Sequence, residues 1–129
     1  MKQEYKELLL KDLCARLPYG LMIEGYKLPC IKLDADWYRF MVTHPEYKIR
    51  RPYLRPMSSM TEEEKHTLQD LASDFADKWM HECYTPEERW KATCDYHSKC
   101  VDYMNSIHLD HHFLIEKELA LEAPEDMYN

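Results

Sequence analysis

Between Arg50 and Glu64 the chain reads RRPYLRPMSSMTEEE, and the spacing of apolar residues, the sign of the charge and the density of turn residues all change across it. Pro52 and Pro56 push the residues before them toward extended conformations, so the stretch belongs to no helix on either side. Thr61-Glu-Glu-Glu64 then makes a capping box. The Thr61 hydroxyl accepts from the Glu64 amide, Glu64 reaches back, and three carboxylates stand where a helix dipole is positive. A chain divided this way is expected to place short strands ahead of the stretch and helices after it.

Ahead of it, residues 3–17 set Tyr5, Leu9, Leu13 and Leu17 on one side of a helix, with Lys6, Glu7, Lys11 and Asp12 on the polar side, and Pro18 ends the run. From Leu21 to Ile49 the helical period disappears. Leu21-Met22-Ile23, Ile31-Lys32-Leu33, Tyr38-Arg39-Phe40-Met41-Val42 and Tyr47-Lys48-Ile49 are short runs bounded by Gly25, Pro29, Asp34-Ala35-Asp36 and His44-Pro45. They predict about four short antiparallel strands, a meander or partly closed barrel, with Ile31, Leu33, Tyr38, Phe40 and Val42 inward and Pro29 at an edge or a strand start.

After the stretch, Leu68, Leu71, Ala72, Phe75, Ala76, Trp79 and Met80 form the apolar stripe of a long helix. Thr85-Pro86-Glu87-Glu88 opens a second helix, whose stripe is predicted to be Trp90, Cys94, His97, Val101, Met104 and His108. The two are expected to pack antiparallel, followed by a short last helix capped by Asp110 and carrying Leu114, Ile115 and Leu119. The fold class is therefore α+β: an N-terminal helix, a small antiparallel sheet, an antiparallel helical pair and a short C-terminal helix.

A chain of 129 residues is one domain's worth, so residues 1–129 are expected to form a single domain. Its charge is uneven: residues 1–55 hold 11 Lys/Arg against 7 Asp/Glu, and residues 56–129 hold 6 against 17. The acidic balance argues against non-specific binding of nucleic acid or membrane by the whole molecule, while leaving a local basic patch in the first half. Two glycines are too few for the glycine-rich loops that cradle phosphates in P-loop and dinucleotide folds. There is no 18-residue apolar run and no signal-peptide pattern, which predicts a cytoplasmic protein, and five cysteines without a regular framework predict reduced thiols.

Pro52–Glu64, Asp102–Asn129 and the opening Leu9–Gly20 resemble a group of small proteins carried by phages and integrated mobile elements of gut bacteria, most specifically in the PMSSMT and LIEK-LALEAP strings. The resemblance covers somewhat under half the chain and implies no particular activity or catalytic residue. Members of the group usually carry glycine where Phe113 and Glu118 stand here, so the resemblance implies that a turn near those positions is replaced by a longer helix.

Three constellations carry chemistry. Arg50, Arg51, Tyr53 and Arg55, with Arg39, Lys48, Tyr38 and Tyr47 nearby, have a composition that holds phosphates and stacks bases; the alternative is that these cations pair with Glu62, Glu63, Glu64 or the acidic helix faces. Cys94, His97 and Cys100, with Cys83, His108, His111 and His112 as possible partners, offer a zinc set, against the plainer reading of a helix stripe with buried thiols. His108-Leu-Asp-His-His112 puts imidazoles beside a carboxylate, the ingredients of general-base chemistry or of a metal site, against capping and solvated surface.

Weighed together, these features predict a non-enzymatic accessory protein of a phage or mobile element that binds a host or phage protein. The alternative is nucleic-acid or nucleotide binding through the Arg/Tyr-rich segment 47–55. Third comes a metal-dependent enzyme using the Cys/His cluster 94–112. No cofactor is expected beyond the zinc that the last reading requires.

Overall fold

A computed structural model describes residues 2–128, which gather into two compact units: one built from the segments up to Met57 and from Asn105 onward, the other from Ser58–Met104. The mixture of helix and sheet agrees with the α+β reading. The number of antiparallel strands does not, for the antiparallel sheet has two.

In the first unit, α1 spans Gln3–Arg16. A 3-10 turn at Leu17–Tyr19 carries Pro18, and Gly20 at φ 70° then reverses the chain, a left-handed conformation open to glycine without strain. Strands β1 (Met22–Glu24) and β2 (Cys30–Lys32) pair antiparallel with Ile23 opposite Ile31. Pro29 stands just before β2, where its missing N–H costs no ladder bond, and a side chain at Gly25 would collide with the Leu28 carbonyl.

The third predicted strand is a helix, α2, at Ala35–Thr43. Asp34-Ala35-Asp36, read from sequence as a turn between strands, is a helix start: the Asp34 carboxylate accepts from the Trp37 amide at 2.8 Å and Asp36 lies in the first turn. Trp37, Tyr38 and Met41, at helical spacing, pack into or against the core, whereas Phe40 and Val42 are exposed rather than inward. Tyr47–Ile49, predicted as a fourth strand, forms none.

Residues 51–55 form the extended spine of this unit. The Arg51 carbonyl accepts from the Glu24 amide at 3.0 Å on the β1 side. On its other side, β3 (Tyr53–Leu54) pairs parallel with β4 (Leu121–Glu122), and the Arg55 amide and carbonyl bond His108 O and Asp110 N, each at 2.8 Å. Leu9, Leu13, Leu21, Ile23, Leu54 and Leu114 are buried in one core around this spine.

Residues 107–120 make successive turns and no helix, contrary to the predicted short C-terminal helix. Asp110 does cap, as its position suggested, but it caps a turn: its two carboxylate oxygens accept from the Leu114 and Ile115 amides at 2.7 and 2.9 Å. Phe113 and Glu118, at φ 57° and 61°, keep the left-handed turns that the resemblance implied would be replaced by helix.

The second unit is a helical hairpin of α3 (Glu62–Glu82) and α4, which begins at Pro86 and runs to Ser106. Both starts follow the sequence: Thr61 and Glu64 complete a capping box, and Thr85 accepts from the Glu88 amide at 3.2 Å. The predicted α4 stripe is out of phase in its first half, whereas Val101 and Met104 farther along are half-buried as expected. Trp90, Cys94 and His97 face solvent, while Ala92 is buried, Tyr96 and Cys100 are half-buried, and Tyr96 stacks on Phe75 with ring centres 4.7 Å apart. Among the described residues, no helix is long and apolar enough to cross a membrane.

Two substitutions test this fold. Removing the α2 cap with Asp34→Ala is expected to cost about 1 kcal/mol in chemical denaturation, with Asp34→Asn restoring most of it; a strand at this position would be indifferent to both. Glu118→Gly relieves a left-handed non-glycine residue and is expected to raise stability by roughly 1 kcal/mol, whereas Glu118→Ala is not.

Candidate functional site

The Arg/Tyr segment singled out from sequence is largely tied into the first unit. Arg51 grips Glu24: its guanidinium donates to Oε1 at 2.8 and 3.2 Å and its amide to Oε2 at 2.8 Å. Burial alone pushes the Glu24 carboxyl upward, but the side-chain and backbone hydrogen bonds from Arg51 and that residue's charge outweigh it and hold the carboxyl below its usual range. Tyr53 donates its hydroxyl to Pro29 O at 3.2 Å, and Arg55 donates to Ile107 O at 3.2 Å. Arg51, Tyr53 and Arg55 thus have structural occupations.

Arg50 differs. It donates to Gly25 O at 3.0 Å and lies 5.6 Å from the Tyr26 ring centre, at the edge of a cavity of about 350 Å³. Tyr26, Trp37, Phe40 and Tyr47 line this cavity, Met41 and Ile49 contribute its buried apolar atoms, and Glu24, Lys48 and Arg50 are its charged groups. Helix α2 supplies Trp37 and Phe40 on one side, three residues apart. The Phe40 ring packs edge-on to Trp37 (6.1 Å), tilted to Tyr47 (5.3 Å) and stacked on His44 (4.2 Å), which gives a continuous aromatic surface. Sequence reasoning found Tyr47, Lys48 and Arg50 but missed Trp37 and Phe40 as a shared helix face, because it read residues 38–42 as a strand.

A second constellation lies elsewhere in the same unit. Asp12 and Arg16, one turn apart on α1, are 1% and 0% exposed, and the Arg16 Nε donates to Asp12 Oδ1 at 2.7 Å. Arg16 also donates from Nη2 to the Leu109 carbonyl at 2.7 Å, while its Nη1 is buried without a hydrogen-bond partner. Sequence reasoning placed Asp12 on the polar side of α1; the one signal that could have corrected it is the Asp–Arg spacing of four.

The turns after Ser106 bring histidines to this pair. His112 Nδ1 lies 2.8 Å from Asp12 Oδ2, and His111 Nε2 lies 2.7 Å from the Oδ1 of buried Asn105. Amide and carboxylate oxygens accept, so those ring nitrogens carry protons, and the other His111 nitrogen, Nδ1, is left as a lone pair. The His111 imidazole is lowered to about 4, first by burial and then by the charges of Arg16 and His112. His108 is also lowered to about 4, by burial and then by Arg16 and Arg55, and it stacks on Tyr128 at 3.7 Å.

The other sequence candidates are dispersed. Cys94, His97 and Cys100 lie along α4 in the second unit, the first two exposed, while His108 is buried in the first unit. The one metal-type cluster among the described residues is Asp12, His111 and His112; it keeps two histidines of the predicted 94–112 cluster but joins them to Asp12 rather than to Cys94, His97 and Cys100. In comparisons with known proteins, no family model, curated protein or solved structure matches the chain.

The Glu24–Arg51 pair sets an acid-side stability dependence. A carboxyl whose folded value is depressed contributes its stability above the unfolded value of 4.5 and loses it as pH falls through the folded value. Denaturation midpoints measured from pH 6 downward are therefore expected to fall less steeply below about pH 4.5 in Glu24→Gln than in the parent chain.

Proposed function

We propose that the protein binds a nucleobase carrying phosphate, as a free nucleotide or as one residue of a single strand, in the aromatic cavity of the first unit. The observation that carries this reading is the combination, in one cavity of about 350 Å³, of four aromatic side chains with Lys48 and Arg50. Stacking surfaces accept any base through its π face, and cations beside them hold the phosphate. Glu24 lines the same cavity, but Arg51 binds both of its carboxylate oxygens, so Lys48 and Arg50 set the sign of the field there. The volume is that of a small-ligand site and accommodates one nucleotide unit, not a duplex.

Titrating the protein with AMP and with a fluorescently labelled oligothymidylate separates the two sources of this chemistry. Phe40→Ala and Tyr47→Ala are each expected to weaken binding about tenfold, the loss of one stacking partner. Lys48→Glu is expected to weaken it further and flatten its salt dependence, while Arg51→Ala reduces stability with little effect on affinity at saturating fold. Absence of binding to both probes at low salt removes the proposal.

A second reading rests on the helical hairpin. Around the α3–α4 turn, Met80, Tyr84 and Trp90 are 69%, 76% and 71% exposed, beside Glu82, Glu87 and Glu88. Large exposed apolar groups rimmed by carboxylates suit a protein partner with a basic surface. Such docking is in keeping with the accessory, protein-binding role expected from the sequence. Tyr84→Glu with Trp90→Glu is expected to abolish capture of a basic host protein and leave nucleotide binding unchanged; a capture unaffected by both would remove this surface from consideration.

A further inference from the structure

The loop that follows α4 is held in an unusual way. His108 and Phe113 are both left-handed without being glycine, and the Asp110 carboxylate anchors the chain between them through the Leu114 and Ile115 amides. Non-glycine residues in this region are costly to hold and persist where the surroundings fix them. What the loop presents is a pair of adjacent imidazoles, His111 and His112, with ring centres 4.3 Å apart, against the buried carboxylate of Asp12.

We propose that Asp12, His111 and His112 form a binding site for a single divalent first-row transition metal ion of the zinc or cobalt class. One ligand atom from each of the three residues lies within 4.8 Å of the others, close enough for one ion to gather them with small side-chain movements. Two borderline imidazoles beside one hard carboxylate favour zinc, cobalt or nickel over magnesium or calcium, which take oxygen ligands. Three protein ligands leave positions for water or an exogenous group, unlike a closed structural site.

The surroundings resemble the outer shell of such a site. His111 donates from Nε2 to Asn105, itself buried, and this fixes the ring with Nδ1 as its lone pair. Arg16 donates to both Asp12 oxygens, Nε to Oδ1 at 2.7 Å and Nη2 to Oδ2 at 3.3 Å, and Oδ2 also meets His112 at 2.8 Å, so the carboxylate is oriented before an ion arrives. The His112 side chain is 36% exposed, and turning the ring about its broad terminal torsion brings a lone pair beside that same carboxylate. The Arg16 charge opposes a cation. It also fixes the Asp12 carboxylate through two hydrogen bonds.

The test uses the full chain without a histidine tag. Co²⁺ titration is expected to give one ion per chain with visible d–d absorption lacking a thiolate charge-transfer band, and Zn²⁺ is expected to displace it. His112→Gln preserves a donor to Asp12 but removes the imidazole, and is expected to weaken Co²⁺ binding by at least about tenfold, as is Asn105→Ala by removing the orienting acceptor of His111. Zn²⁺ is further expected to raise the melting temperature of the parent chain where Mg²⁺ does not, a readout that survives if a variant misfolds. Absence of Co²⁺ binding, an unchanged affinity in His112→Gln, a thiolate band, or loss of binding in Cys94→Ser with His97→Ala instead would each overturn the assignment.

Discussion

The first unit depends on the backbone hydrogen bonds of one extended segment, residues 51–55. Its carbonyls and amides serve β1 on one side and the turns and strand from residues 108 to 123 on the other. An extended segment inside a core has no water to satisfy its polar groups, so each must find a partner, and these partners come from both ends of the sequence. Pro52 fits because the bonds required there are accepted by its carbonyl, from the Leu121 amide at 2.8 Å, and none is asked of its nitrogen. The positions of the neighbouring charges follow from this placement: Arg51 leaves the spine beside Glu24, and Arg50, immediately before the spine, stands beside the aromatic cavity.

A buried ion pair sits in the same unit and follows different energetics. Taking Asp12 and Arg16 out of water is costly, and such pairs often contribute little net stability, yet removing one partner strands the other at a cost of about 3–5 kcal/mol. The pair is therefore better understood as an organiser. Through Leu109 O and His112 it ties α1 to the loop that carries three histidines and Asp110. Those groups fix the geometry of a polar centre whose position the apolar core alone would leave undetermined.

Local signals in the sequence were legible, and tertiary ones were not. The starts of α3 and α4 are encoded by residues within one turn of each other, Thr61 with Glu64 and Thr85 with Glu88, and the structure has both. The end of α1 at Pro18 and the pairing of β1 with β2 were readable for the same reason. Residues 38–42 failed because Tyr, Phe and Val favour strands while Asp34 serves equally as a turn residue or a helix cap; the choice rests on Trp37 and Met41 meeting the core. The phase of α4 failed because apolar residues occupy two of its faces, and the contact that selects one, Phe75 on Tyr96, lies between elements. The Asp12 cluster joins residues a hundred positions apart, which no local period records.

Because the Arg55 amide and carbonyl are paired with His108 and Asp110, the first unit closes only after the ribosome has made the whole helical hairpin. At a synthesis rate of about 5–20 residues per second, the spine waits roughly 3–10 s with one edge unpaired. The hairpin, contiguous in sequence and opened by two self-contained caps, needs nothing from later residues to begin folding during that interval. Its insertion at this point makes the order of folding a property of the genetic sequence as much as of the contacts. Until then the edge of residues 51–55 offers unpaired backbone groups to other chains, the usual liability of an open strand edge.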